Sequence, residues 1–240
     1  MKVLVIIPAY NEENSIEEVV KNLLKINIKN VILDYLIVND CSKDKTREIC
    51  LNNNYNFIDL PVNLGIGGGV QTGYKYAVEN NYDIAIQMDG DGQHEPSCIE
   101  DLVNQIIDND KDMVIGSRFL KKDGFQSSFM RRAGISFLKG LIYLLCHKKI
   151  YDTTSGFRAI SKELIKFFSE NYAQDYPEPE AIIAAVLNGF EVEEVPVIMH
   201  ERQGGESSIN ALDSIYYMIK VSLSIIIYRI GFFGEKRSKK

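Results

Sequence analysis

Two aspartates flank a single glycine, Asp89-Gly90-Asp91, directly after an apolar run at residues 84–88. Glycine permits a tight backbone there, so both carboxylates can converge on one point. Paired hard oxygens suit Mg²⁺ or Mn²⁺, which in turn grip phosphate oxygens. A lone Asp-x-Asp also arises by chance, and its place after a buried strand is what gives it weight. Three other polar clusters also follow apolar runs: Pro8-Ala9-Tyr10-Asn11-Glu12-Glu13, Asn39-Asp40-Cys41-Ser42 and Gly116-Ser117-Arg118. Asp, Asn and Gly are turn formers, so any one cluster reads equally well as a simple turn. Together they point to one site built from several loops, because open α/β sheets bind ligands beyond the carboxyl ends of their strands.

The loop Asn63-Leu64-Gly65-Ile66-Gly67-Gly68-Gly69 invites a nucleotide-binding reading. It has no Gly-Lys-Ser/Thr ending, and a G-x-G-x-x-G frame begun at Gly65 places Val70 last. Close backbone packing at the entry to a helix over 70–78 is the plainer reading. Amides facing a diphosphate are the other.

The elements that must hold these loops follow from hydropathy. Short runs rich in Val, Ile and Leu at 3–7, 36–38, 84–88 and 113–115 show little alternation, as strands buried on both faces do. Between them, 12–25 and 96–107 carry apolar residues on one helical stripe. Strand–helix alternation predicts an α/β domain with a mostly parallel, Rossmann-like sheet, placed at residues 1–118, and helices on both faces. Residues 119–135 read as a mobile loop. Helices are expected at 132–146, 161–169 and 179–188, a short strand before 161, another strand at 191–198, and a long amphipathic helix over 210–233.

The chain has 240 residues, 45% hydrophobic and 25% charged, with a formal net charge of −6. That composition excludes disorder and coiled coil, and the acidic balance argues against a nucleic-acid partner. Cys41, Cys50, Cys98 and Cys146 form no C-x-x-C, which argues against zinc and disulfide frameworks and for reduced thiols inside a cell. The opening apolar run is too short for a secretory signal, and no uninterrupted membrane span is visible.

In order along the chain, Pro8-Ala9-Tyr10-Asn11-Glu12, Asn39-Asp40-Cys41-Ser42-Lys43-Asp44-Lys45-Thr46, Asp89-Gly90-Asp91-Gly92-Gln93-His94-Glu95-Pro96, Gly116-Ser117-Arg118 and Ser155-Gly156-Phe157-Arg158 resemble the family 2 inverting glycosyltransferases of the GT-A fold. The nearest subgroup is that of dolichol-phosphate-mannose synthases and bacterial polyprenyl-phosphate sugar transferases, and the likeness covers about 1–210. The resemblance implies a GT-A domain over 1–208, followed by an interfacial segment over 209–240. It implies that Pro8, Tyr10, Glu12, Asp40, Asp89, Gln93 and Arg202 bind a UDP- or GDP-sugar, with Asp89 and Asp91 holding Mg²⁺ or Mn²⁺. The familiar Asp-Asp pair is Asn39-Asp40 here. Asp91, Arg131, Arg158 and Glu180 are the expected catalytic group, and Gly116-Ser117-Arg118 and Ser155-Gly156-Phe157-Arg158 would line the acceptor side.

Arginine matches phosphate oxygens well, so Arg118, Arg131 and Arg158 fit a polyprenyl phosphate acceptor that is already an anionic nucleophile. Glu178 and Glu180 leave a second acceptor open, a sugar hydroxyl of a glycan with one of them as base. They also suit the first turn of a helix. A silent scaffold with the same fold is a third reading, which the intact aspartate pair disfavours. The loop Glu201-Arg202-Gln203-Gly204-Gly205 could close over phosphates or merely link to the last helix. That helix, with Lys220, Arg229 and a basic tail, is expected at the cytoplasmic face of the cell membrane, alone or beside a small membrane protein. Packing on the domain's own core or at a homo-oligomer interface is the alternative.

Overall fold

The computed structural model describes residues 1–121, 129–175, 177–200 and 211–238, without the side chains of 129–131, 211–215 and 233–238. Strands β1 (Lys2–Ala9), β2 (Ile32–Asn39), β3 (Phe57–Asp59), β4 (Ile84–Gln87), β5 (Met113–Ser117), β6 (Arg158–Ser161) and β7 (Val192–Pro196) form one seven-stranded sheet in the order β3-β2-β1-β4-β6-β5-β7. All neighbours are parallel except β6, which runs antiparallel to both β4 and β5. The sheet therefore extends well beyond residue 118, because β6 and β7 complete it. The reversed direction of β6 matters for the site: its first residue, Arg158, lies beside Gln87 at the carboxyl end of β4 and beside Ile115 near the end of β5.

Helices α1 (Ile16–Leu23), α2 (Thr46–Asn52) and α4 (Ile99–Asn109) cover one face, where Val19, Val20, Leu23, Cys50, Leu102 and Val103 meet Val3, Val5 and Ile7. On the other face α3 (Gly65–Glu79), α5 (Phe129–Cys146), α6 (Lys162–Glu170), α7 (Pro177–Leu187) and α8 (Ala211–Ser238) gather around Leu4, Ile6, Leu36 and Val38. Strand β1 sends alternate residues to both cores and is buried along nearly its whole length, which is why its sequence shows no polar alternation.

The glycine loop is the start of α3 itself. A Cβ on Gly67 would stand 2.1 Å from the Ala173 carbonyl oxygen, and the Gly67 amide donates to the Gln174 carbonyl at 3.2 Å. Six residues on, a Cβ on Gly73 would stand 2.3 Å from Ile6 Cγ2. The glycines thus let α3 lie close on the sheet and on the segment before α7, as the packing reading expects.

Helix α5 begins at Phe129, inside the stretch read as a loop. Residues 129–132, Phe-Met-Arg-Arg, contain no helix breaker, so the helical pattern reaches back further than its apolar stripe suggested. The rest of that stretch, 122–128, lies outside the described residues, as do Arg202 with its loop and the last two residues. Helix α8 packs on α7 and α5, with Val221 and Ile225 buried.

Candidate active site

The carboxyl ends of β1, β2, β4 and β5 and the start of β6 converge on one edge of the sheet. Two loops are knitted together first. The Asn11 N–H donates to Ser42 Oγ at 3.0 Å and the Lys43 N–H to Asn11 Oδ1 at 2.8 Å. The Glu12 N–H donates to Thr46 Oγ1 at 2.8 Å and the Glu13 N–H to Asp44 Oδ2 at 2.9 Å. Asn11 and Cys41, near the ends of these strands, both take φ of 58°, a left-handed conformation that a non-glycine residue enters only under local constraint. Pro8 is buried at the end of β1, Glu12 is half-buried, and Tyr10 stands exposed with its ring available to a ligand.

Asp40 is buried, and its Oδ1 accepts the Leu64 N–H at 2.6 Å while its carbonyl accepts from Asn63 Nδ2 at 3.0 Å. The asparagine before it, Asn39, is held by its own contacts: Nδ2 donates to Asp59 Oδ1 at 2.6 Å and Oδ1 accepts from Ser42 Oγ at 2.5 Å. A second aspartate at that position would face the Asp59 carboxylate, which gives the departure from the familiar Asp-Asp pair a physical reason.

Beyond β4, the side chain of Asp89 is 35% exposed while Asp91 is 4% exposed. Asp91 Oδ1 accepts the Gln93 N–H at 3.0 Å, which tightens the turn and leads into Pro96–Cys98, a single 3-10 turn before α4. Glu95 caps that turn by accepting the Ser97 N–H at 3.2 Å. The Asp89 carboxylate lies 3.4 Å from Gln87 Nε2. A Cβ on Gly156 would come within 3.0 and 3.1 Å of its two oxygens, so only glycine leaves this cradle open. Gly90 plays a similar part against β1, where a Cβ would stand 3.2 Å from the Pro8 carbonyl oxygen. Gln93 is half-buried beside the aspartates, and its Nε2 reaches the His200 carbonyl at 3.4 Å.

No group of three or more His, Cys, Asp or Glu side chains placed to hold a metal occurs among the described residues. Two carboxylates with an open cradle fit Mg²⁺ or Mn²⁺ all the same, because such ions are commonly held by one or two carboxylates, waters and substrate phosphates.

The acceptor side departs from expectation in detail. Arg118 is bound to Asp152 in a buried fork, Nε to Oδ2 and Nη2 to Oδ1 each at 2.6 Å, with Thr154 Oγ1 at 3.0 Å from Nη2. Asp152 gave no signal in the sequence beyond being near the Ser155–Arg158 motif. Arg158, expected to meet the acceptor phosphate, is fully buried. Its Nη1 donates to the Glu178 carbonyl at 3.2 Å and its Nη2 to the Ser155 carbonyl at 2.5 Å. It therefore braces two site segments from behind and offers no guanidinium face to solvent.

Glu178 is the acid that feels the site. Burial pushes its carboxyl above the ordinary carboxylate range and Arg158 pulls it back, with Asp89 adding to the rise. Glu180 turns the other way, to the Ser224 hydroxyl of α8, in a cavity of about 200 Å³ shared with Asp175 and Lys220. The side chain of Arg131 and all of Arg202 lie outside the described residues.

Comparison with known proteins agrees with this architecture. The family described as Glycosyl transferase family 2 matches residues 4–168. Among named relatives, a UDP-N-acetylglucosamine–dolichyl-phosphate N-acetylglucosaminyltransferase of Methanococcus voltae is 36% identical over 215 residues, covering 81% of this chain and 84% of that one. An undecaprenyl-phosphate mannosyltransferase of Micrococcus luteus is 28% identical, covering 88% of each chain. The crystal structure of glucosyl-3-phosphoglycerate synthase from Mycobacterium tuberculosis, in complex with Mn²⁺, UDP and phosphoglyceric acid, aligns with a TM-score of 0.71 at 20% identity. That alignment covers 96% of this chain and 78% of that one, and it shows the shared fold. With the family spanning β1 through α6 and the paired aspartates set at the sheet's carboxyl edge, this chain is a glycosyltransferase and belongs to glycosyl transferase family 2.

Proposed function

We propose that this enzyme transfers a hexose or N-acetylhexosamine from a UDP- or GDP-sugar to a polyprenyl phosphate, with inversion at the anomeric carbon. The observation that carries the donor half is the pair Asp89 and Asp91 in one turn after β4, with room for the Asp89 carboxylate left by Gly156. Asp89 and Asp91 would hold a divalent ion, and such an ion would supply neutralisation of the charge on the departing nucleoside diphosphate. Tyr10, Glu12 and Asp40 border the nucleotide, and Gln93 faces the donor beside Asp91.

An oxygen of the lipid phosphate attacks the anomeric carbon in line as the bond to the diphosphate breaks. That oxygen is already anionic, so the chain's task is to position it. Arg131 and Arg202 are assigned to the phosphates, and Arg118, held rigid by Asp152, lines the path. Support for the lipid acceptor comes from the relatives named above as acting on dolichyl or undecaprenyl phosphate.

The raised carboxyl of Glu178, which also feels the Asp89 charge, favours a second reading, in which Glu178 takes a proton from a sugar hydroxyl. Purified enzyme given Mn²⁺, a panel of labelled nucleotide-sugars and either a short polyprenyl phosphate or an oligosaccharide separates the two. Label in the lipid fraction supports the first reading, and label on the oligosaccharide supports the second.

We further assign α8 and α5 to an anionic lipid surface at the inner face of the cell membrane. Ile219, Leu223, Ile227 and Ile230 on α8, with Phe137 and Leu144 on α5, are each more than half exposed. No helix among the described residues is long and apolar enough to cross a membrane, so these helices would lie along the surface. A second copy of the chain or a small membrane protein would cover the same face.

A further inference from the structure

We propose that His94 is a positioning residue that fixes Asp89 through its backbone and so sets the affinity of the aspartate pair for a divalent ion. This rests on the metal role given to Asp89 and Asp91 above. Histidine at position 94 reads from the sequence as part of a turn, yet its side chain is 2% exposed. The ring stacks on Phe157 with centroids 4.8 Å apart and planes 12° from parallel. Phe157 is itself fully buried next to Gly156, the residue whose missing side chain leaves room for the Asp89 carboxylate.

His94 Nδ1 accepts the Asp89 N–H at 3.1 Å. An amide can only donate, so Nδ1 carries no proton and the neutral ring bears its hydrogen on Nε2. Nε2 lies 3.8 Å from Asp89 Oδ2, too far for a hydrogen bond. The His94 backbone also bridges Met199, which ties the turn to the segment after β7. One residue thereby joins the first aspartate and the Ser155–Arg158 motif through its ring and the segment after β7 through its backbone. Outer partners of this kind hold metal-ligating carboxylates in orientation, and their loss typically costs 10–100-fold in metal affinity.

Two substitutions separate the ring's functions. His94→Phe keeps the stack on Phe157 and removes the acceptor. His94→Asn removes the stack and keeps an acceptor oxygen where Nδ1 stood. Mn²⁺ binding is read from loss of the free-ion electron paramagnetic resonance signal, with UDP and separately with GDP present, beside thermal unfolding of each protein. The expected result is Mn²⁺ affinity reduced roughly 10–100-fold in His94→Phe with its unfolding temperature kept, and largely recovered in His94→Asn. In turnover, KM for the nucleotide-sugar rises in His94→Phe while KM for the acceptor does not.

Wild-type Mn²⁺ affinity in His94→Phe, or weaker binding in His94→Asn than in His94→Phe, overturns the assignment. So does metal affinity that falls only in step with thermal stability, which would make His94 a core residue alone. If wild-type protein binds no Mn²⁺ with either nucleotide, the metal reading of the aspartates fails and this inference with it. Normal wild-type binding with unaltered variants removes the His94 role only.

Discussion

Asp91 and Asp89 sit in one turn with different environments, and the difference assigns them different sensitivities. Asp91 is nearly buried and accepts the Gln93 amide, so Asp91→Ala removes both the proposed metal ligand and a turn contact. The expected outcome is loss of transfer in a protein that still unfolds cooperatively, checked by turnover and thermal melting together. Gly156→Ala places a methyl within 3.1 Å of both Asp89 oxygens and should cut turnover for the same reason.

The arginines divide by burial. Arg158→Ala strands the buried Ser155 carbonyl, and a buried unpaired acceptor costs about 1–3 kcal/mol, so stability to urea should fall. Arg131→Ala should instead raise KM for the lipid phosphate with nucleotide affinity and stability unchanged, and Arg131→Lys should rescue poorly because it lacks the fork. Asp152→Asn leaves Arg118 buried without its counter-charge, and breaking such a pair costs about 3–5 kcal/mol, which urea denaturation would read. These distinctions were not legible in the sequence. Arg118, Arg131 and Arg158 are alike as letters, and only tertiary packing puts one against a carboxylate and one against two carbonyls.

At the scale of elements, the short apolar runs marked β1, β2, β4 and β5, and β7 falls within the strand expected at 191–198. Strand β3, with three residues, is too short for a period to register, and the antiparallel setting of β6 depends on partners far along the chain. The sequence therefore predicted a strand before residue 161 without showing that it enters the sheet between β4 and β5 and brings Gly156 to Asp89. The glycines of α3 read ambiguously, and the packing of the helix resolves them. Gly73→Ala should destabilise by about 1–3 kcal/mol through overpacking against Ile6. Combining it with Ile6→Ala, which removes the Cγ2, Cγ1 and Cδ1 atoms that the new methyl meets, should cost less than the sum of the two changes.

Helix α8 was read as amphipathic, and Val221 and Ile225 do turn inward while its outer side stays apolar. If that side meets lipid, full-length protein floats with anionic liposomes in low salt and protein ending at Ser208 does not. Equal flotation of both would remove the anchoring role.

Over the whole molecule, strand–helix alternation was enough to predict the α/β architecture, and the structure sets the polar clusters at the carboxyl edge of the sheet. Their exact neighbours were not readable, because Asp152, His94 and Glu178 acquire their roles from contacts across the sheet. The central claim is sugar transfer from a nucleotide donor to a lipid phosphate with the Asp89–Asp91 pair holding a divalent ion. It is tested most directly by offering one labelled nucleotide-sugar with Mn²⁺ to a short polyprenyl phosphate and to the matching polyprenol, each with and without excess chelator. The account expects label in the lipid fraction with the phosphate alone and its loss with chelator. Equal labelling of the polyprenol, or labelling of the phosphate that chelator leaves unchanged, would contradict it.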